Sequence, residues 1–206
     1  MKVTETAIPD VKLIVPKVLR DSRGYFMETL SQKAFRQVGL QSEFCQDNES
    51  CSRKGVLRGL HYQAAPDTQA KLVRVVRGAV WNVAVDIRKG SPTFGKYVAE
   101  TLSADNKCQL FIPRGFAHGF LVLEDDTVFC YKCDNFYAPN SERGICYRDP
   151  ALGVRWPDIG MPPLLSDKDM RLPFLAEVEP WNGDGRPLAG QVYSCETVGC
   201  MRAVGC

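Results

Sequence analysis

Val56-Leu57-Arg58-Gly59-Leu60-His61-Tyr62-Gln63, followed a short way on by Lys71, sets cations, an imidazole and an amide into an otherwise β-like stretch. The chain has only 2 histidines; the other, His118, lies in Pro113-Arg114-Gly115-Phe116-Ala117-His118-Gly119-Phe120. Both segments read as strands of one barrel whose mouth holds an anionic, carbonyl-bearing small molecule. Strand alternation puts Leu57, Gly59, His61 and Gln63 on one face, and Arg58, Leu60 and Tyr62 on the other. Arg58 then reaches the His61 side only if the strand twists or bulges.

The text on either side supports a β domain. Runs at residues 72–76, 79–87, 97–102, 109–112, 119–123 and 127–133 are broken by Arg77-Gly78, Gly90-Ser91-Pro92, Ser103-Ala104-Asp105-Asn106, Pro113-Arg114-Gly115 and Glu124-Asp125-Asp126. Short strands with turn signals at this spacing indicate a sandwich or barrel. Before them, residues 11–19 form an early strand interrupted by Pro16, which suits an edge. Asp21-Ser22-Arg23-Gly24 is a turn ahead of Tyr25-Phe26. Residues 31–38 read as a helix capped by Ser31 and ended by Gly39. After Tyr147 the prolines at 150, 157, 162 and 163 indicate an ordered loop, and Ser166 is placed to cap a short helix at Asp169. The expected organisation is one domain over residues 1–180 and a cysteine-containing tail over residues 181–206.

Composition narrows the function classes. Apolar residues make up 45% and charged residues 24%, with a formal net charge of +2. These values are ordinary for a globular domain, and the scattered basic residues do not form the stripe expected of a nucleic-acid-binding protein. No apolar run approaches the ~18–20 residues of a membrane helix. The N-terminus lacks an apolar signal core, so a cytoplasmic location without membrane partners is expected. The 9 cysteines are odd in number and mostly embedded in strand text, which favours free thiols over a disulfide scaffold. Cys130-Tyr131-Lys132-Cys133 has C-x-x-C form, but on a strand its two cysteines point to opposite faces.

The residue types suggest a proton-transfer site. Phe129, Tyr131 and Cys133 share a strand face. A His and a Tyr from different strands can flank a cavity, as removal of a proton from one face of a carbon and its return to the other would require. A carboxylate behind His61 would fix its tautomer; Asp169 is one candidate among the 24 acids. Lys71 could stabilise an enolate oxygen. Each residue also has a plain structural alternative: a satisfied core histidine, a half-buried strand tyrosine, a lysine lying along a strand start.

Pro113-x-Gly115-x-x-His118 resembles the second ligand motif of cupins, and His61-x-Gln63 stands where a cupin carries His-x-His. A glutamine in a ligand slot leaves the set poor for a metal, which normally takes three or four N/O ligands, so a metal-free cupin-like barrel is expected. A longer series resembles the dTDP-4-dehydrorhamnose 3,5-epimerase family: Asp21-Ser-Arg-Gly-Tyr-Phe-Met-Glu28, Gln46-Asp-Asn48, residues 56–63, Lys71-Leu-Val-Arg74, Val83-Ala-Val-Asp-Ile-Arg88, Ser91-Pro-Thr-Phe-Gly95, residues 112–120, Tyr131-Lys132 and Leu165-Ser-Asp-Lys-Asp169.

That resemblance implies an all-β, cupin-like jelly roll with a few short peripheral helices. It also implies a homodimer that uses no cofactor or metal and inverts C3 and C5 of a dTDP-4-keto-6-deoxyhexose. It further implies His61 as base, Asp169 as its partner, Tyr131 as acid and Lys71 as the enolate cation. Arg23, Glu28, Gln46, Asn48, Arg58, His118, Glu142 and Lys168 match its substrate-contacting positions, with the arginines and His118 suited to sugar and diphosphate. Tyr137 matches an aromatic that stacks on thymine. Asn82 departs from the Asp common in the family, keeping hydrogen bonds but losing a charge. A 3-epimerase of another deoxysugar pathway, a non-catalytic nucleotide-sugar-binding jelly roll and a metal-dependent cupin are the competing readings.

Overall fold

A computed structural model describes residues 1–182 of the chain. In chain order the strands are β1 Lys2–Glu5, β2 Lys12–Val15, β3 Val18–Asp21 and β4 Gly24–Met27, followed by helix α1 Gln32–Gln37. Then come β5 Gln46–Ser52, β6 Leu57–Gln63, β7 Lys71–Arg77, β8 Ala79–Asp86, β9 Tyr97–Ser103, β10 Gln109–Ile112, β11 Phe116–Val122, β12 Thr127–Cys133 and β13 Glu142–Gly144. One sheet runs β1-β2-β10-β7-β12-β5 and the other β13-β6-β11-β8-β9, while β3 and β4 form a separate hairpin. Strands β5 to β12 alternate between the two sheets except at the β8–β9 hairpin, giving orders 5-12-7-10 and 6-11-8-9. That is the double Greek key of a jelly roll, the expected architecture.

Alternation within the strands builds three apolar layers. Val73 and Val75, Val80 and Ala84, Val98 and Leu102, Phe116 and Phe120, and Phe129 fill the space between the sheets. The outward set Val83, Val85, Ala117, Leu60 and Tyr62 packs beneath Leu152, Leu175 and neighbouring C-terminal segments. On the other side Ile14, Leu72 and Phe111 take Phe35 of α1 and Leu40. Phe129, 1% exposed, stacks on Phe120 with ring centroids 4.1 Å apart. Truncating such a ring to alanine costs about 3–5 kcal/mol.

The expected helix is present: Ser31 Oγ accepts from the Ala34 amide 3.3 Å away, and Gly39 follows with φ +81°. Ser166 Oγ accepts from the Asp169 amide at 3.1 Å, opening a 3-10 turn at Asp169–Arg171. The C-x-x-C pair lies on β12, with Cys133 buried and Cys130 half-exposed beside Glu49. Strands β1, β5 and β13 have no apolar periodicity and were not expected. β5 reads Gln-Asp-Asn-Glu-Ser-Cys-Ser and is polar on both faces, because it is a sheet edge whose inner side borders a cavity rather than core. Trp181, assigned from sequence to the tail, pairs by backbone hydrogen bonds with Ile87 and Lys89 at 2.9 and 2.7 Å. The rest of the tail expectation, residues 183–206, lies outside the described residues.

Candidate active site

The site begins with a discontinuity in β6. His118 stands opposite His61 and Phe120 opposite Arg58, so three steps along β6 match two along β11. The extra residue is a β-bulge, and it shifts the alternation by one. Arg58 and His61 therefore line the same cavity, while Leu60 and Tyr62 go to the outer apolar layer. This corrects the simple alternation that grouped Arg58 with Leu60 and Tyr62. Gly59 makes the bulge possible. Its φ is +119°, and a Cβ there would lie 2.6 Å from Gly119 Cα and 2.7 Å from the His118 carbonyl oxygen.

Two volumes that share lining residues open between the sheets. The first, about 420 Å³, is lined by Arg58 and His61 of β6, Lys71 of β7, His118 of β11, Tyr131 of β12 and the loop residues Lys168 and Asp169. The second, about 370 Å³, shares His61, Lys71, Tyr131 and Lys168 with it and adds Gln46, Asn48, Tyr137 and Glu142. All the site residues named from sequence thus converge except Arg23 and Glu28. Those two line neither volume. Arg23 is on the β3–β4 hairpin, exposed and paired with Asp21 at 2.6 Å.

His61 Nε2 donates to Asp169 Oδ1 across 2.5 Å. Burial would push the Asp169 carboxyl up, but hydrogen bonds from His61 and Ser166 and the nearby Lys168 charge outweigh it and hold the acid below its usual range. Asp169 is thus a carboxylate at neutral pH. It fixes the Nε2–H tautomer, leaving Nδ1 as the basic nitrogen of His61. The Lys71 ammonium makes no hydrogen bond or ion pair among the described residues, and burial pushes its pKa down. Burial also pushes the Tyr131 phenol up, so it keeps its proton. His118 Nε2 lies 2.8 Å from Asn82 Oδ1, and burial, then the Lys71 and His61 charges, drive its pKa well below 6.5.

The rim is a hydrogen-bonded frame. Tyr137 leaves its ring exposed and donates its hydroxyl to Glu142 at 2.7 Å, and Glu142 also pairs with Lys168. Burial opposes ionisation of Glu142, but Lys168 and Tyr137 more than compensate and lower its pKa. Gln46 accepts from the Tyr137 amide at 2.9 Å and donates to Asn48 Oδ1 at 2.9 Å. Gln63, in the cupin ligand slot, instead clamps this loop: it donates to the Asp67 and Phe136 carbonyls at 2.6 and 3.2 Å and accepts from the Ala138 amide at 2.7 Å.

Sequence reasoning missed Ser52, whose hydroxyl accepts from the Arg58 guanidinium at 3.1 Å and aims it into the cavity. Nothing local marks it, because β5 carries no strand periodicity. Phe120 and Phe129 form an apolar wall; the face that Phe129 shares with Tyr131 was the available signal.

The family described as dTDP-4-dehydrorhamnose 3,5-epimerase matches residues 5–177. The dTDP-4-dehydrorhamnose 3,5-epimerase of Shigella flexneri is 58% identical over 171 residues, covering 82% of this chain and 93% of the relative. Among solved structures, a dTDP-6-deoxy-D-glucose-3,5-epimerase from Legionella pneumophila, in complex with dTDP-4-keto-L-rhamnose, superposes with a TM-score of 0.85 at 46% identity. It covers 88% of this chain and 97% of that one. A 3'-monoepimerase from Streptomyces bikiniensis, in complex with dTDP-quinovose, gives a TM-score of 0.78 at 37% identity, covering 84% and 87%. Both the length of the match and the level of identity show one lineage and one fold, and the chain belongs to the dTDP-4-dehydrorhamnose 3,5-epimerase family.

Proposed function

We propose that this isomerase inverts C3 and C5 of dTDP-4-dehydro-6-deoxy-D-glucose to give dTDP-4-dehydro-L-rhamnose, with His61, Lys71, Tyr131 and Asp169 carrying the chemistry. One observation supports this most: His61 and Tyr131 enter one cavity from opposite sheets, with Lys71, whose ammonium is unpaired among the described residues, between them in sequence and beside them in space. The 4-ketone acidifies the hydrogens on both neighbouring carbons. His61 Nδ1 takes the proton, and Asp169 stabilises the imidazolium. The electron pair moves into the carbonyl as an enolate, whose oxygen receives the Lys71 ammonium in a partly desolvated site. Tyr131 then delivers a proton to the opposite face of the carbon. Its raised pKa suits an acid that must arrive protonated.

Arg58, His118 and Lys168 are read as sugar and diphosphate contacts, Gln46, Asn48 and Glu142 as the frame of the nucleotide side, and the exposed Tyr137 ring as a stacking surface for thymine. No resident cofactor or metal enters this reading. Arg23 and Glu28 reach substrate only from a second copy, which fits a homodimer. The β3–β4 hairpin that carries Arg23 also exposes Leu19, Tyr25 and Phe26, the last 69% accessible. The protein is read as cytoplasmic, with residues 1–180 as the catalytic domain; among the described residues no helix is long and apolar enough to cross a membrane.

Incubation of the substrate in deuterium oxide, followed by NMR, tests the reaction. Deuterium at both C3 and C5, abolished by His61→Ala, is expected. Label at C3 alone would establish a 3-epimerase, the reading that the likeness to the monoepimerase favours. Tight dTDP binding with no exchange would leave a binding module.

A further inference from the structure

Asn82 is a polar side chain in an apolar row. On β8 it shares the inner face with Val80 and Ala84, both in the layer between the sheets, and it is 0% exposed. His118 holds the equivalent place on β11, between Phe116 and Phe120. Asn82 Oδ1 meets His118 Nε2 at 2.8 Å, while Asn82 Nδ2 is buried without a partner among the described residues. The buried amide donor is unpaired, so the contact with His118 is the one hydrogen bond the Asn82 side chain makes among the described residues.

An amide oxygen can accept a hydrogen bond but brings no charge. With Oδ1 facing the ring, His118 Nε2 carries the hydrogen, and Asn82 itself supplies no charge that would favour the imidazolium. The charged and titratable groups around the pair are Arg58 and His61 from β6, Lys71 from β7, Tyr131 from β12, Glu49 from β5, Lys168 and Asp169 from the loop, and Glu100, the register partner of Asn82 on β9. Asp169 is committed to His61. The nearest charges acting on His118, those of Lys71 and His61, oppose a second cation. Nδ1 makes no hydrogen bond among the described residues, and the ring lines the cavity.

We infer that Asn82 is a positioning residue that locks His118 as a neutral Nε2–H imidazole, so that the ring offers the cavity a lone pair that receives a sugar hydroxyl and not a phosphoryl oxygen. The ligand part of this rests on the nucleotide-sugar reading above; the tautomer part does not. It narrows the role of His118, which sequence resemblance left between sugar and diphosphate. A phosphoryl oxygen accepts hydrogen bonds only, and a bare Nδ1 has none to donate.

Long-range proton–nitrogen NMR of histidine-labelled free protein between about pH 5.5 and about 8.5 tests the tautomer without any ligand. His61→Asn assigns the two rings. The expected result is a His118 that stays neutral and protonated at Nε2 throughout. An imidazolium, or a proton on Nδ1, would overturn the inference whatever the enzyme catalyses. Asn82→Asp, a substitution of nearly equal size, should then make His118 cationic over the same range. It should weaken binding of the product nucleotide sugar about tenfold, the value of one hydrogen bond of ordinary strength, while dTDP alone binds no more weakly. If His118 titrates alike in both proteins, or if the variant loses dTDP and the nucleotide sugar equally, the assignment is wrong. Failure of the deuterium exchange would instead remove the epimerase reading and leave the tautomer result standing.

Discussion

Arg58 and His61 lie three positions apart on one strand and line the same cavity, because the bulge between them gives β6 one more residue than β11. Gly59 carries that bulge. Gly59→Ala would set a Cβ against backbone atoms of Gly119 and His118, at a φ that L residues rarely adopt. The expected loss is about 2–4 kcal/mol of stability, read as a fall in the urea midpoint. Gly24→Ala, at φ +129° with no atom within 4 Å, should cost only the backbone strain, about 1–2 kcal/mol.

Asp169→Asn keeps the size of the side chain but removes the charge that sets the His61 tautomer. The rate of deuterium exchange should fall by roughly 10²–10⁴ with dTDP binding unchanged. Ser166→Ala removes only the hydroxyl that accepts the Asp169 amide. A few-fold loss in kcat, with KM unmoved, is expected.

Tyr131→Phe separates the two halves of the reaction. His61 still removes and returns protons on its own face, so exchange at the carbon should persist while the inverted product falls by about 10²–10⁴. Loss of exchange along with inversion would move Tyr131 from reprotonation to proton abstraction. The phenol of Tyr131 makes no hydrogen bond among the described residues, so the substitution leaves no protein partner unsatisfied.

His118 gives the fold a pH dependence with a definite sign. Its folded pKa is well below 6.5, first through burial and then through the Lys71 and His61 charges, whereas in the unfolded chain it titrates near 6.5. Between those values only the unfolded chain binds the proton. Stability from this residue is complete above about 6.5 and falls as the pH drops below it, by about 1.4 kcal/mol per pH unit. His118→Asn should flatten that segment of a urea-midpoint series. Asp169, held below its ordinary 3.8, loses its contribution as pH falls through a lower window, so the two are separable.

Complementation tests the dimer. Arg23→Ala and His61→Ala proteins should each be inactive, yet a refolded equal mixture should recover roughly a quarter of wild-type activity, from the one intact site in each heterodimer. No recovery would place Arg23 outside the partner's site.

The chain by itself determined an all-β sandwich or barrel, and its family resemblance added the jelly roll and named the candidate site residues. Its strands are short, apolar and punctuated by turn residues, and local pattern is enough to read such elements. His61, Lys71, Tyr131 and His118 stand on strands of that kind, and Ser166 announces the turn that presents Asp169. Three things were decided only by tertiary structure. The edge strand β5 has no periodicity of its own, so Ser52 became visible only when β12 paired with it. The side on which Arg58 points depends on a bulge, and a bulge is a property of two strands together. Whether Asn82 touches His118 depends on a diagonal contact between strands far apart in sequence. Residue type can suggest what a side chain does, but which neighbour sets its proton is fixed only when the sheets close.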